Sequence, residues 1–313
     1  MDCGESMRRI ALVGMVTIDL TYLFDSYPEN ESENEVSEHK VVLGGLMGRA
    51  ALTISKLGGE PSLFAVRGTD TMGTLLRDKV HRAGLDCRWV EVEGESQHSV
   101  VISSRRDGSR TTLWRGQPKS TCSVREALEE FLNGAEIVLM DATDPVLYAI
   151  TVDYCSARGI PIVLDTGSGR PWTHQKLALI DYVIAPIKYL KGLKMALNLD
   201  QTASFKEVAA SSCKTMFAVS EGSEGGKWCL STGAESDRWE AFQVQTIDSC
   251  GAGDAFHGAF TWGIANGLEI SEALTTASAV AGLSVTGLGN SALPTQQGLL
   301  EFLGANTERG VPL

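Results

Sequence analysis

The chain has 313 residues, 43% of them hydrophobic, and carries a formal net charge of −12 from 27 Lys and Arg against 39 Asp and Glu. That length and apolar content supply a large core and exclude a disordered chain. The acidic balance argues against nucleic acid or an anionic membrane as partner, because both are bound through clustered Lys and Arg. Seven cysteines, an odd set without short paired spacing, indicate neither a zinc site nor a disulfide framework and suit a reducing cytoplasm. No stretch reads as a signal-type apolar region or is long enough to span a bilayer.

In chain order, a strand over Ile10–Val13 ends at Gly14, with Asp19 just beyond it. The segments Tyr22–Val42 and Ser99–Trp114 are β-rich without a following helix and predict antiparallel strands extending from the main sheet. Gly44 and Gly45 open a helix whose Leu46, Ala50, Ile54 and Leu57 share a face; Met72, Leu75, Leu76 and Val80 mark the next helix, and Val146, Ala149, Ile150 and Tyr154 a third. Strands are predicted at Ser62–Val66, Ile137–Met140, Ile162–Leu164, Tyr182–Ile184 and Met216–Val219. The last third turns helical over Ala252–Ala265, Ile270–Val285 and Thr295–Phe302. The alternation predicts an α/β fold: a doubly wound, mostly parallel sheet with helices on both faces, binding ligands beyond the carboxyl ends of its strands. Asp19, Asp165, Ser220 and Asp254 all follow strand-like segments there.

The run Ile247-Asp248-Ser249-Cys250-Gly251-Ala252-Gly253-Asp254-Ala255-Phe256 carries the chemistry. A nearly side-chain-free turn leads into an apolar helix, so the amides of Gly251, Ala252 and Gly253 can converge on one anion where the helix dipole also favours negative charge. Asp254 stands beside them, placed to take a proton from an attacking hydroxyl while the amides hold charge on a transferred phosphoryl group. Other chemistries fail: Gly226-Lys227-Trp228 is no P-loop, no dinucleotide fingerprint follows the first strand, and the five histidines lack metal-site pairing. Arg105, Arg106, Arg110, Arg115 and Lys119 form a cationic cluster that either grips an anionic substituent or is a solvated basic strand.

This run resembles the Asp-Thr-x-Gly-Ala-Gly-Asp-x-Phe signature of the ribokinase-like (PfkB) carbohydrate kinases, and other landmarks follow that family's order. They include Gly44-Gly45, the stretch Gly68-Thr69-Asp70-Thr71-Met72-Gly73, Gly108-Ser109-Arg110, Asp165, and Ser220-Glu221-Gly222-Ser223-Glu224-Gly225. The ketohexokinase and sulfofructose kinase branches are nearest in character. The resemblance implies one ribokinase-like α/β domain over 1–313, with a small β lid from about 20–43 and 98–116 that covers the sugar and pairs two subunits in a homodimer.

It also implies a cytoplasmic kinase that moves the γ-phosphoryl group of ATP to a small carbohydrate, a ketose or sugar acid foremost. Asp254 is then the base and Gly251, Ala252 and Gly253 the anion hole. Asp19, Gly44, Gly45 and Arg110 bind the sugar, while Ser220, Gly222, Gly225, Asp165 and Lys188 lie on the ATP side. Asp248 orders Mg²⁺ through water, and a K⁺ ion beside the anion hole stays open. The residues themselves leave Lys188 as either a phosphate partner or the start of a solvated helix. The chain departs from the family pattern in three places. Leu46, Met47, Gly48 and Arg49 follow the Gly pair where Gly-Gly-x-x-x-Asn or Gly-Gly-Asn is usual. Ala185-Pro186-Ile187-Lys188-Tyr189 replaces Asn-x-x-Glu, and Asp165-Thr166-Gly167-Ser168 keeps the acid of Asp-x-Asn but loses the amide. These departures leave room for a catalytically silent sugar or nucleotide sensor, and Tyr22, Phe24 and Tyr27 for a nucleoside kinase.

Overall fold

Apolar runs buried along their whole length form the middle of the molecule. In the computed structural model, which describes residues 9–307 except 30, 107, 108, 117, 168 and 171, Ile10–Val13, Ile137–Asp141 and Ile162–Asp165 are buried at every position. Burial on both faces is what a parallel sheet covered by helices on each side requires. Gly108 and Ser168 lie outside the described residues.

The elements run β1 (Ile10–Val13), β2 (Thr17–Phe24), β3 (Glu38–Gly44), α1 (Leu46–Lys56), β4 (Pro61–Gly68), α2 (Thr71–Arg82), β5 (Asp86–Val92), β6 (His98–Ser104) and β7 (Arg110–Arg115). After these come α3 (Arg125–Leu132), β8 (Ile137–Asp141), α4 (Pro145–Arg158), β9 (Ile162–Asp165), β10 (Tyr182–Pro186), α5 (Ile187–Ala196), α6 (Phe205–Ser212) and β11 (Met216–Ser220). The chain closes with β12 (Gly226–Leu230), β13 (Ser236–Trp239), α7 (Ala252–Ala265), α8 (Ile270–Ser284) and α9 (Gln296–Thr307).

Among the described residues, nine strands form the main sheet in the order β13-β12-β11-β10-β9-β8-β1-β4-β5. Every pair from β11 to β5 is parallel, and β12 and β13 add an antiparallel meander at one edge. Leu12, Leu63, Leu139 and Val163 face a core with Ala50 and Ile54 of α1, Phe260 of α7 and Leu274 of α8. Ala11, Phe64, Val138 and Leu164 face the other core, with Leu128 of α3, Ile150 of α4 and Val208 of α6. The doubly wound sheet expected from the alternating pattern is therefore present. No helix of the described residues is long and apolar enough to cross a membrane.

A second, four-stranded sheet has the order β3-β2-β6-β7. The strands expected from Tyr22–Val42 and Ser99–Trp114 are there, but they are not all antiparallel and not part of the main sheet. β3 on β2 and β7 on β6 are antiparallel hairpin-type pairs, whereas β2 and β6 run parallel from Ile18 opposite His98 to Phe24 opposite Ser104. The reason is topological: α1, β4, α2 and β5 intervene between the two pairs, so β6 returns in the direction of β2. Gly68 to Gly73 also has a local role, because Asp70 caps α2 by accepting from the Gly73 amide at 2.8 Å.

The two sheets meet at Gly45. It is the N-cap of α1 with φ 81° and ψ 155°, and a Cβ there would lie 2.6 Å from the Met15 carbonyl oxygen. That backbone region is essentially restricted to glycine. Gly45→Ala is therefore expected to lower unfolding stability by about 1–3 kcal/mol in denaturant titrations; an unchanged midpoint would contradict this packing.

Candidate active site

The turn ahead of α7 is held from three sides. The Asp248 carboxylate accepts from the Cys250 amide through Oδ1 and from the Gly289 amide through Oδ2, each at 3.0 Å. The Ile247 and Asp248 amides both donate to the Val285 carbonyl. Arg49 of α1 donates from Nη1 to the Cys250 carbonyl, and its guanidinium lies against Gly251, where a Cβ would collide with it. Gly251 itself has φ 76°, the left-handed conformation that suits glycine. These restraints aim the first-turn amides of α7, which have no intrahelical acceptor, at open space.

That space is a cavity of about 310 Å³ lined by Ser220, Gly222 and Gly225 on one side and by Ala252, Gly253 and His257 on the other. Trp239, Phe242, Phe256 and Val285 give it apolar walls, a shape suited to a flat ring with a charged tail at the amide turn. The two halves come from different elements: β11 delivers Ser220 at its carboxyl end, a tight turn carries Gly222, and α7 and α8 close the far side.

Asp254, in the first turn of α7, is half-buried. Loss of water around its carboxyl pushes it up to about 6; the Arg49 guanidinium and His257 oppose that rise, while Asp165 and Asp19 add to it. A carboxylate poised near neutrality suits a general base. Cys250 is no competing nucleophile, because burial pushes its thiol up to about 11.

Asp19, just beyond the first strand as expected, lies within β2, where it is nearly buried. Its Oδ1 accepts from the Thr17 hydroxyl at 2.8 Å and the Ser99 hydroxyl at 2.7 Å, and Oδ2 lies 3.8 Å from Arg49 Nη2. Gly44 ends β3 directly over this carboxylate; a Cβ would strike Oδ2. Arg110, at the start of β7, reaches across to donate from Nη1 to the Ser249 hydroxyl at 2.6 Å, so the second sheet touches the amide turn.

The remaining expected residues are placed differently from one another. Asp165 ends β9, buried under His257: the imidazole Nδ1 is 3.3 Å from Asp165 Oδ2 and 2.7 Å from the Gly253 carbonyl. Asp165, Asp254 and Gly251 are not among the residues that line the cavity, which reaches α7 through Ala252, Gly253 and His257, and neither is Lys188, which is exposed on α5. Lys188 sits at the solvated start of a helix, one of the two readings its sequence left open. Asp248 is engaged on both oxygens by backbone amides, which makes it a clamp on the turn. Among the described residues no group of three His, Cys, Asp or Glu side chains is arranged to hold a metal ion.

Sequence reasoning passed over Arg49 as a lost amide, although an Arg inside an otherwise small and apolar helix face, Ala50, Ala51 and Ile54, signals a buried charge. The walls from Trp239 to Val244 lack a periodic pattern and left no such signal.

Residues 7–296 match the family model of the pfkB family carbohydrate kinases. The chain is 24% identical over 308 residues to the ribokinase of Bacillus subtilis, covering 95% of this chain and 100% of that one. It is 23% identical to the 5-dehydro-2-deoxygluconokinase of Clostridium tetani, over 93% and 91% of the two chains. The solved structure of Arabidopsis thaliana ribokinase complexed with ribose and ATP superposes with a TM-score of 0.75 at 20% identity, covering 95% of this chain and 99% of that one. The chain belongs to the pfkB family of carbohydrate kinases, and its fold is ribokinase-like. It is accordingly an ATP-dependent carbohydrate kinase, a phosphotransferase with an alcohol group as acceptor.

The position of Asp254 carries a pH prediction. A base must be ionised to accept a proton, so kcat/KM is expected to fall as pH drops through about 6, the value to which burial raises this carboxyl. Asp141, also raised to about 6 by burial, titrates in the same range at the end of β8. Asp141→Asn should leave the acid limb in place; a limb that vanishes in that variant would reassign it.

Proposed function

We propose that Asp254 is the general base and that the amides of Gly251, Ala252 and Gly253 form the anion hole for phosphoryl transfer to a small carbohydrate. The observation that carries this is a glycine-lined amide turn whose Ala252 and Gly253 line the cavity opposite Ser220, Gly222 and Gly225, with the desolvated Asp254 carboxylate next in the same helical turn.

In this reading the base and ribose of ATP lie between the Ser220–Gly225 turn and the α7–α8 wall, with the triphosphate directed to Ala252 and Gly253. Asp19 and Gly44-Gly45 hold the acceptor from the opposite side. The acceptor oxygen forms a bond to the γ-phosphorus as the bond to the β,γ-bridging oxygen breaks, and its proton passes to Asp254. Charge on the transferred group is met by the amides, which are already aimed and need no reorganisation. Mg²⁺ supplies charge neutralisation on the phosphates when it accompanies ATP. Arg110, already at Ser249, extends this cationic side of the site. A K⁺ requirement belongs to the same proposal and is read out by adding the salt.

The acceptor is a small sugar, with ketoses and sugar acids the favoured classes; the chain's similarity to the Clostridium tetani 5-dehydro-2-deoxygluconokinase supports an acid, and ribose belongs in the same test on the strength of the Bacillus subtilis ribokinase. The four-stranded sheet acts as the lid, since it brings Asp19, Ser99 and Arg110 to the acceptor side. Its edge strand β7 exposes Leu113 at 58% and Trp114 at 67%, which supports pairing of two lids in a homodimer. The free thiols of Cys87, Cys155, Cys213, Cys229 and Cys250 support a cytoplasmic location.

ATP consumption with ketoses, aldoses, sugar acids and nucleosides, with and without K⁺, tests the reading. Asp254→Asn is expected to lower kcat by about 10²–10⁴ on the best acceptor while the KM for ATP stays within about twofold. Near-normal turnover in that variant rules the carboxylate out as base. Sedimentation of the wild type should give a dimer that Trp114→Glu dissociates; a monomeric wild type would remove the lid-pairing proposal and leave the chemistry untouched.

A further inference from the structure

Arg49 carries a charge that the hydrogen bonds around it do not satisfy. The residue is 2% exposed. Nη1 donates to the Cys250 carbonyl, Nε is buried without a hydrogen-bond partner, and Nη2 stands 3.8 Å from Asp19 Oδ2. That separation exceeds a hydrogen bond. On the other side of the gap, Asp19 has Oδ1 filled by the Thr17 and Ser99 hydroxyls, and among the described residues no hydrogen bond reaches its Oδ2. The buried guanidinium and the nearly buried carboxylate therefore form an ion pair too long for a hydrogen bond, which leaves Nη2 free to donate to, and Oδ2 free to accept from, an entering oxygen.

We infer that Arg49 is a specificity-determining residue of the acceptor site: an acceptor hydroxyl enters the gap, accepts a hydrogen bond from Nη2 and donates one to Asp19 Oδ2. The inference rests on the kinase reading given above. Its chemical content is the kind of group admitted. A hydroxyl offers both a proton and a lone pair, so it satisfies both faces. A carboxylate, sulfonate or phosphate has no proton to give Asp19 and meets its charge, so an acidic substituent must lie away from this gap, on the side where Arg110 stands exposed.

The same guanidinium acts on the base. The charged and titratable groups that bear on Asp254 are Arg49 from α1, Asp165 from β9, His257 from its own helix and Asp19 from β2. Arg49 is the strongest of those favouring the ionised carboxylate, and it also fixes the turn ahead of it through Cys250. Removing its charge favours the protonated acid, which moves the acid limb of the pH–rate profile to higher pH.

The test is steady-state kinetics of the wild type, Arg49→Gln and Arg49→Lys on D-ribose, D-fructose and D-gluconate together with 2-deoxy-D-ribose, using ADP binding as the check on folding. With the best wild-type acceptor, Arg49→Gln should raise the acceptor KM about tenfold or more, because hydrogen bonds to charged groups are of that strength. The KM for ATP should stay within about twofold, and the acid limb should move upward. Arg49→Lys, which keeps the charge but not the fork, should hold the limb near its wild-type position with an intermediate KM. If Arg49→Gln fails to bind ADP, Arg49→Lys carries the test alone: an acceptor KM several-fold above wild type with the KM for ATP within about twofold supports the inference, and an acceptor KM within about twofold of wild type overturns it. An acceptor KM within about twofold of wild type, with an unmoved limb, overturns the inference and leaves the kinase reading standing. A wild type that turns over none of the sugars counts against the kinase reading itself, and the inference falls with it.

Discussion

The contact between Arg49 and the Cys250 carbonyl joins residues 201 positions apart and ties the first helix of the chain to the turn that begins α7. With the Asp248 carboxylate bridging the Cys250 and Gly289 amides, it fixes a segment that glycine would otherwise leave loose. Amide donors lower a barrier only if they need not turn toward the charge as it develops, so the stiffness of this turn is the condition for the rest. The sheet contributes by putting Ser220, Asp165 and Asp141 at its carboxyl edge, and the second sheet by bringing Asp19 and Arg110 to the same place.

Charge is the second constraint. Asp254 and Asp141 are both raised to about 6 by desolvation, and Asp165 adds to the rise of each. At Asp254 two basic side chains oppose the rise. Arg49 and His257 restore part of the balance. A single buried guanidinium thereby stands beside Asp19 and bears on the charge of Asp254, the two carboxylates proposed for acceptor binding and proton transfer.

Much of this was legible in the residues. Gly-Ala-Gly-Asp ahead of an apolar run marked the start of α7, because the conformational demand of the turn and the period of the helix are both local. The parallel core strands were legible for a similar reason: continuous β-branched burial needs no partner to be recognised. The parallel pairing of β2 with β6 was not, since strand direction across two sheets depends on what lies between them. β5, β12 and β13 were missed because their burial is mixed, as in the alternating exposure of Asp86 to Val92. The site residues divide along the same line. Asp254 and Asp19 were legible from their places after strand-like segments, whereas the exposure of Lys188, the backbone partners of Asp248 and the burial of Arg49 between β2 and the Cys250-Gly251 turn depend on segments far apart in the chain.

The most direct test of the central claim is a crystal structure of the protein with ADP, aluminium fluoride and its best acceptor sugar. The account predicts the fluoride group against the amides of Gly251, Ala252 and Gly253, with the acceptor oxygen in line and within hydrogen-bond distance of the Asp254 carboxylate. A fluoride group bound elsewhere, or an Asp254 side chain turned away from the acceptor, would contradict it.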